Sequence, residues 1–134
     1  MSFDIHLECF RNGEPEERPL AFFVQAFASF IKKTNHNAWN MSGSHAEIYF
    51  DSEDNDENSM TSGFMVAGPP GEHPFWDALI GIMKQTPSLL YWPSTIAAVA
   101  DKAWIPHLPP RMINDIDIRV VSTPQEIWAC IKEG

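Results

Sequence analysis

The stretch that decides the fold is SFDIHLECF, residues 2–10, in which apolar and polar side chains alternate as far as Cys9. Phe3, Ile5, Leu7 and Cys9 fall on one face, and the polar residues between them fall on the other. A period of two is typical of a strand with one buried face. The segment therefore predicts a β-strand that carries an apolar layer on one side.

Three further stretches predict helices. Apolar residues at 20, 23, 27, 30 and 31 recur at spacings of three and four, which predicts a helix from Pro19 to Thr34. After a Gly-Pro-Pro-Gly break, apolar residues at 75, 76, 79, 80 and 83 predict a second helix that ends before Pro87. The sequence Thr-Pro-Gln-Glu from Thr123 combines a capping box with proline at the first helical position, so a third helix begins there.

Short apolar or alternating segments predict the remaining strands. They are a hairpin of residues 39–41 and 46–50, a strand at 63–67, short strands at 89–92 and 96–100, and a last buried strand at 116–121. The proline-rich segment 106–113 favours no more than a helical turn. The order of elements predicts one α+β domain, residues 1–134, with a mixed or mainly antiparallel sheet and about three helices packed on it.

Composition and charge limit the kinds of partner. The 134 residues are 44% hydrophobic and 12% aromatic, which is too apolar for a disordered chain and enough for one core. The formal charge of -9 repels phosphate backbones, and no run of Lys or Arg overcomes it locally, so nucleic-acid binding is not expected. The same field attracts a basic protein and speeds the encounter.

Two other features bear on the compartment. Apolar runs are too short to span a bilayer and the N-terminus lacks a basic signal region, so we expect a cytoplasmic protein without membrane contact. Cys9 and Cys130 lie in apolar-patterned segments and are expected to be buried free thiols.

Negative charge is concentrated in DSEDNDENS, residues 51–59. Its carboxylates are Asp51, Glu53, Asp54, Asp56 and Glu57. The alternating oxygen ligands resemble a calcium loop, but Asp56 replaces the glycine of the sharp turn and Ser62 replaces the bidentate glutamate. We therefore expect a solvated loop or an acidic recognition element, and no metal or other cofactor.

Two tryptophans beside prolines complete the predicted partner-binding residues. Trp92 in Tyr-Trp-Pro and Trp104 in the proline-rich segment are suited to a contact surface. Burial in the core is the competing interpretation; it is favoured for Trp92 and evenly balanced for Trp104.

Catalysis is the competing function. No nucleotide-binding, zinc-hydrolase or nucleophile-elbow motif is present, so an enzyme is not expected. A small hydrolase remains the alternative if His6, His45, Glu47 and Asp101 converge in one pocket. A structural homodimer is the third interpretation, because the sequence leaves the oligomeric state open.

Three segments carry a resemblance to other proteins. They are SFDIHLECFRNGEP (2–15), GPPGEHPFWDALIGIMKQTPSLLYWP (68–93) and RVVSTPQEIWACI (119–131), which look like a group of small, uncharacterised bacterial proteins. In size, charge and organisation the chain resembles immunity proteins of bacterial toxin/immunity systems, without a shared residue motif. The resemblance implies a stoichiometric protein-binding module that neutralises a basic toxin domain.

Overall fold

A computed structural model describes residues 3–34, 38–50 and 59–134. The strands within these ranges are β1 Asp4–Arg11, β2 Glu14–Pro15, β3 Arg18–Pro19, β4 Ile31–Lys33, β5 Ala38–Met41, β6 Glu47–Phe50, β7 Met60–Thr61, β8 Gly63–Ala67, β9 Ser88–Tyr91, β10 Ile96–Val99 and β11 Asp117–Val120. The helices are α1 Leu20–Phe27, α2 Phe75–Gln85, α3 Pro110–Asp115 and α4 Pro124–Glu133, with a 3₁₀ helix at Lys102–His107. Three of these helices are longer than two turns.

Nine of the described strands form one sheet. Its order is β11-β10-β9-β1-β8-β6-β5-β4, and β2 pairs with the end of β1. Every pairing is antiparallel except that of β10 with β11, which is parallel. Strands β3 and β7 form a separate two-stranded ribbon. The fold is therefore α+β with a mixed, mainly antiparallel sheet, as predicted.

Strand β1 lies in the middle of this sheet, and its alternation decides which side carries the main core. Ile5, Leu7 and Cys9 are each no more than 2% exposed, and they pack beneath α1, α2 and α4. Phe23 and Phe27 of α1 contribute the centre of an aromatic cluster on the same side. The helices therefore pack on this face of the sheet.

Among the described residues, those that cover the second face lie at one end only. Phe10, Leu89, Ala97, Val99 and Leu108 form a smaller core there, against which the 3₁₀ helix and α3 contribute partly buried side chains. Trp104 of the 3₁₀ helix is partly buried, and its indole N–H donates to the carbonyl oxygen of Met83 at 2.8 Å. That hydrogen bond joins the 3₁₀ helix to α2. The neighbouring strands β1, β8 and β6 carry mostly polar side chains on this face, of which His6, Glu8, Glu47 and Tyr49 are half-buried.

The first helix is shorter than its apolar spacing predicts. It ends at Phe27, and after a turn Ile31–Lys33 pair with β5 as an edge strand. Phe30 is buried in the turn and Ile31 is half-buried in the strand, so both are covered without a helix, and pairing with β5 favours the strand. Lys32 and Lys33 therefore lie on the sheet edge, where charge disfavours pairing with another chain.

The last strand also differs from expectation. Strand β11 is the other edge of the sheet, its side chains are half-buried or exposed, and Val120 is 49% exposed. Only the following residue, Val121, is buried. An apolar run cannot by itself distinguish an edge strand from a central one, because both favour β-branched residues.

Most of the other local predictions are confirmed, but the segment 106–113 forms more than a helical turn, because it contains the end of the 3₁₀ helix and the start of α3. The hairpin of β5 and β6, helix α2 and helix α4 have the predicted positions. Thr123 caps α4 by accepting a hydrogen bond from the Glu126 N–H, and the Glu126 carboxylate accepts from the N–H of Ser122. Cys9 and Cys130 are free and buried. Among the described residues, no helix is long and apolar enough to cross a membrane.

Candidate binding surface

The part of the second face that no described residue covers carries a row of three aromatic side chains and one methionine. The strand register places His6 opposite Tyr91 on one side and Met65 on the other, and Met65 in turn lies opposite Tyr49. Residues directly opposite each other in a sheet point to the same face, so these four side chains project together. The row crosses β9, β1, β8 and β6, the middle of the sheet.

Carboxylates lie on both sides of this row. Two residues before His6 on β1, Asp4 lies opposite Ala67 of β8, and Ala67 lies opposite Glu47 of β6. In the other direction, Glu8 is opposite Gly63. The exposed middle of the sheet therefore combines two tyrosines with three carboxylates.

A pocket of about 300 Å³ lies in this surface. The described residues that line it are His6, Leu7, Glu8, Tyr49, Phe50, Ser62, Gly63, Phe64, Met65 and Tyr91. None of the described residues that line the pocket is a lysine or an arginine. The surface is therefore aromatic and acidic.

Two contacts give the pocket its walls. The rings of His6 and Tyr91 stack with centroids 5.0 Å apart and planes 10° from parallel. On the other side, loss of hydration raises the pKa of the Tyr49 phenol above its ordinary value, and the charge and hydrogen bond of Glu47 raise it further. Tyr49 is therefore a neutral phenol at physiological pH, and its proton is directed at a carboxylate.

The floor depends on the absence of a side chain at Gly63. A Cβ atom there would lie 3.0 Å from the carbonyl carbon of Leu7 and from the Cα of Glu8, and closer still to the Leu7 carbonyl oxygen. Strands β1 and β8 approach each other this closely only because residue 63 is glycine. The floor of the pocket therefore depends on the close approach of the β1 and β8 backbones.

A second depression, of about 710 Å³, lies between α2 and α4. Trp76 and Trp128 form its aromatic wall, with ring centroids 5.0 Å apart, and Glu72, Asp77 and Lys132 give it mixed charge. The indole N–H of Trp76 has its hydrogen-bond partners inside the molecule, because it donates to the carbonyl oxygens of residues 70 and 71. This groove lacks the single sign of charge that distinguishes the sheet-face pocket.

The structure describes two of the seven predicted partner-binding residues, Trp92 and Trp104. Asp51, Glu53, Asp54, Asp56 and Glu57 lie outside the described residues, but Phe50, which precedes them, and Ser62, which follows, both line the sheet-face pocket. Trp92 is 6% exposed and belongs to the main core, which agrees with the interpretation favoured from the sequence, so it offers a partner almost no surface. Trp104 is half-buried with its N–H bonded inside the molecule. Both tryptophans chiefly build the fold.

The residues of the hydrolase alternative are not brought into one pocket. His6 lines the sheet-face pocket, whereas Glu47 lies in the next row along the strands. Asp101 caps the 3₁₀ helix by accepting from the N–H of Ala103, and it follows β10 at the opposite end of the strands from Glu47. His45 is exposed in the turn between β5 and β6. This geometry gives that four-residue site no support.

The two buried cysteines do not supply a reactive nucleophile in place of that four-residue site. Burial raises the pKa of the Cys9 thiol to about 11, and burial likewise raises the pKa of Cys130. Such thiols are protonated at neutral pH and react slowly. Within the described ranges, no group of three or more His, Cys, Asp or Glu side chains is placed to hold a metal ion.

Sequence analysis missed Tyr49 and Met65 as surface residues. Alternation does place both on the polar side of their strands, but it does not show which strands are neighbours. The register that joins β1 to both β8 and β9 supplies this information. No family of proteins, no curated protein and no solved structure matches the chain, so its function has to be inferred from its own residues.

Proposed function

We propose that the chain is a stoichiometric binding module for a basic protein, and that the uncovered sheet face is its contact surface. The observation that carries the proposal is the row of half-buried aromatic side chains flanked by Asp4, Glu8 and Glu47, with no lysine or arginine among the described residues of its pocket. Residues 51–57, which lie between Phe50 and Ser62 in the sequence, carry five further carboxylates.

Physical principles support a protein partner. Tyrosines bury a large area at little cost in side-chain entropy, and carboxylates at the rim direct the approach of cations. The formal charge of -9 produces a long-range field with the same sign as the surface. Aromatic anchors and electrostatic attraction together favour fast, specific association.

The most specific form of this proposal is an immunity protein that neutralises a basic toxin domain. It is supported by the resemblance in size, charge and organisation, and by the acidic surface. A toxin domain that handles nucleic acid has a basic surface of its own, and an acidic sheet face is complementary to it.

Calorimetric titration tests the proposal. The purified chain is mixed with the purified C-terminal domain of a secreted toxin encoded beside its gene. We expect one-to-one binding that weakens as salt rises from 50 to 300 mM, because screening reduces the attraction between opposite charges. A lack of binding at 50 mM salt, or binding that is indifferent to salt, would contradict the proposal.

The role of the acidic segment needs a charge-matched comparison. Neutralising Asp51, Glu53, Asp54, Asp56 and Glu57 to the corresponding amides should lower the association rate about tenfold at low salt. The dissociation rate should change less, because charges at the rim act mainly on the encounter.

The control variant neutralises five exposed carboxylates elsewhere: Glu14, Glu17, Glu72, Asp77 and Asp115. Both variants have the same net charge, so a role of residues 51–57 in recognition requires the first to bind more slowly than the second. Equal association rates would assign the whole effect to net charge and remove that role.

A further inference from the structure

We infer that the sheet-face pocket receives the guanidinium group of one arginine from the basic partner. The inference rests on the proposed function, and it names the chemical group that the central pocket recognises. Its evidence is the combination of size, charge and flat aromatic walls at Tyr49 and Tyr91.

The size of the pocket favours a single side chain. At about 300 Å³, it lies at the small end of the range for ligand pockets. A helix or a strand needs a longer groove, whereas the end of one long side chain needs only a local depression. The partner backbone would remain outside the pocket, over the rim formed by Asp4 and Glu47.

The charge of the pocket selects a cation. Glu8 lines it directly, and the Glu47 carboxylate acts on the Tyr49 phenol at its opposite wall. An anionic group would meet these carboxylates and the field of an acidic chain. A positive group would gain attraction from both sides.

The shape of the walls favours guanidinium over ammonium. The rings of His6 and Tyr91 stack on each other, so each has one flat face turned away from the other ring, and a planar guanidinium stacks on such aromatic faces. Its fork of N–H donors also fits a carboxylate such as that of Glu8. The thioether of Met65 gives the aliphatic stem an adaptable apolar contact.

Nuclear magnetic resonance on the whole ¹⁵N-labelled chain tests the inference. The probes are N-acetyl-arginine methylamide, the lysine analogue and the citrulline analogue, which keeps the shape of arginine but lacks its charge. We expect the arginine probe to shift the amides of Gly63, Met65 and Tyr91 in a saturable manner, with a dissociation constant on the order of 1 mM. The lysine probe should bind more weakly, and the citrulline probe should not saturate.

Two variants identify the carboxylate. Glu8→Gln keeps the shape of the side chain and should weaken the arginine probe about fivefold. Glu14→Gln makes the same charge change at an exposed position on β2, and it should leave the affinity unchanged. The comparison of arginine with citrulline on the unaltered chain provides a test that does not depend on any variant folding.

The outcomes separate the two proposals. Absence of saturable shifts with arginine, or equal shifts with citrulline, overturns the arginine pocket; salt-dependent one-to-one binding of the basic protein would then leave the proposed function standing. Failure of that protein to bind overturns the proposed function as well. Equal loss of probe affinity in Glu8→Gln and Glu14→Gln would also refute the pocket, because only net charge would then matter.

Discussion

Replacing Gly63 with alanine tests the backbone approach that underlies the pocket. The new Cβ would lie 3.0 Å from two backbone atoms of β1 and closer still to the Leu7 carbonyl oxygen. Ordinary contacts between carbon and oxygen are about 3.3 Å or longer, so the strands must separate. Strand β1 is also paired with β9, and it cannot move away from β8 without disturbing that second pairing.

The expected cost is therefore at the upper end of the range for overpacking. Gly63→Ala should lower the free energy of unfolding by about 3 kcal/mol. With a urea m value of about 1.5 kcal/mol/M, the midpoint would fall by about 2 M. Equilibrium unfolding in urea, followed by tryptophan fluorescence, measures this change directly.

Gly81 provides a matched control for the same substitution. It lies inside α2, and a Cβ added there meets no atom within 4 Å. Gly81→Ala should raise the free energy of unfolding by about 0.5 to 1 kcal/mol, because alanine favours the helix. If Gly63→Ala were as stable as the unaltered chain, the close approach of β1 and β8 would be refuted.

Two further predictions concern the C-terminal helix and its neighbours. Thr123→Ala should lower the free energy of unfolding by about 1 kcal/mol in urea titration, because the hydrogen bond that caps the Glu126 N–H is lost. Thr123→Ser keeps a hydroxyl and should retain most of this stability. Equal stability of the two variants would argue against the cap. Hydrogen bonds from Arg119 to Asp117 and Glu133 hold the pKa of each carboxyl below its ordinary value. These bonds therefore stabilise the fold above about pH 4, and the stabilisation is lost as the pH falls through the pKa values of the two carboxyls in the folded chain. Arg119→Met should therefore be less stable than the unaltered chain at pH 6, and the difference in urea midpoint should close towards pH 3; a difference that is constant with pH would contradict the ion pairs.

Local patterns predicted much of the fold because each acts within a few residues. The alternation of residues 3–9 fixed the buried face of β1, and Thr123 with Pro124 marked the start of α4. Prediction was wrong at Ile31, where the helical spacing continues although the chain has already entered an edge strand. At such a position, pairing with a distant strand determines whether the residue lies in a helix or in a strand. The periodicity of neighbouring residues carries no information about that pairing.

The candidate surface could be predicted only in part, for the same reason. Composition and the acidic residues 51–57 indicated a basic partner. The grouping of His6, Tyr49, Met65 and Tyr91 depends on three strand pairings among segments far apart in the sequence. The tryptophan at position 92, selected because it adjoins proline, proved to be a core residue.

A map of amide chemical shifts in the complex tests the central claim most directly. The ¹⁵N-labelled chain is saturated with the basic partner protein, and every assigned amide is compared with its position in the free chain. We predict that the largest changes lie on the uncovered sheet face, at His6, Tyr49, Met65 and Tyr91. Changes confined to the groove between Trp76 and Trp128, with none on the sheet face, would contradict the account.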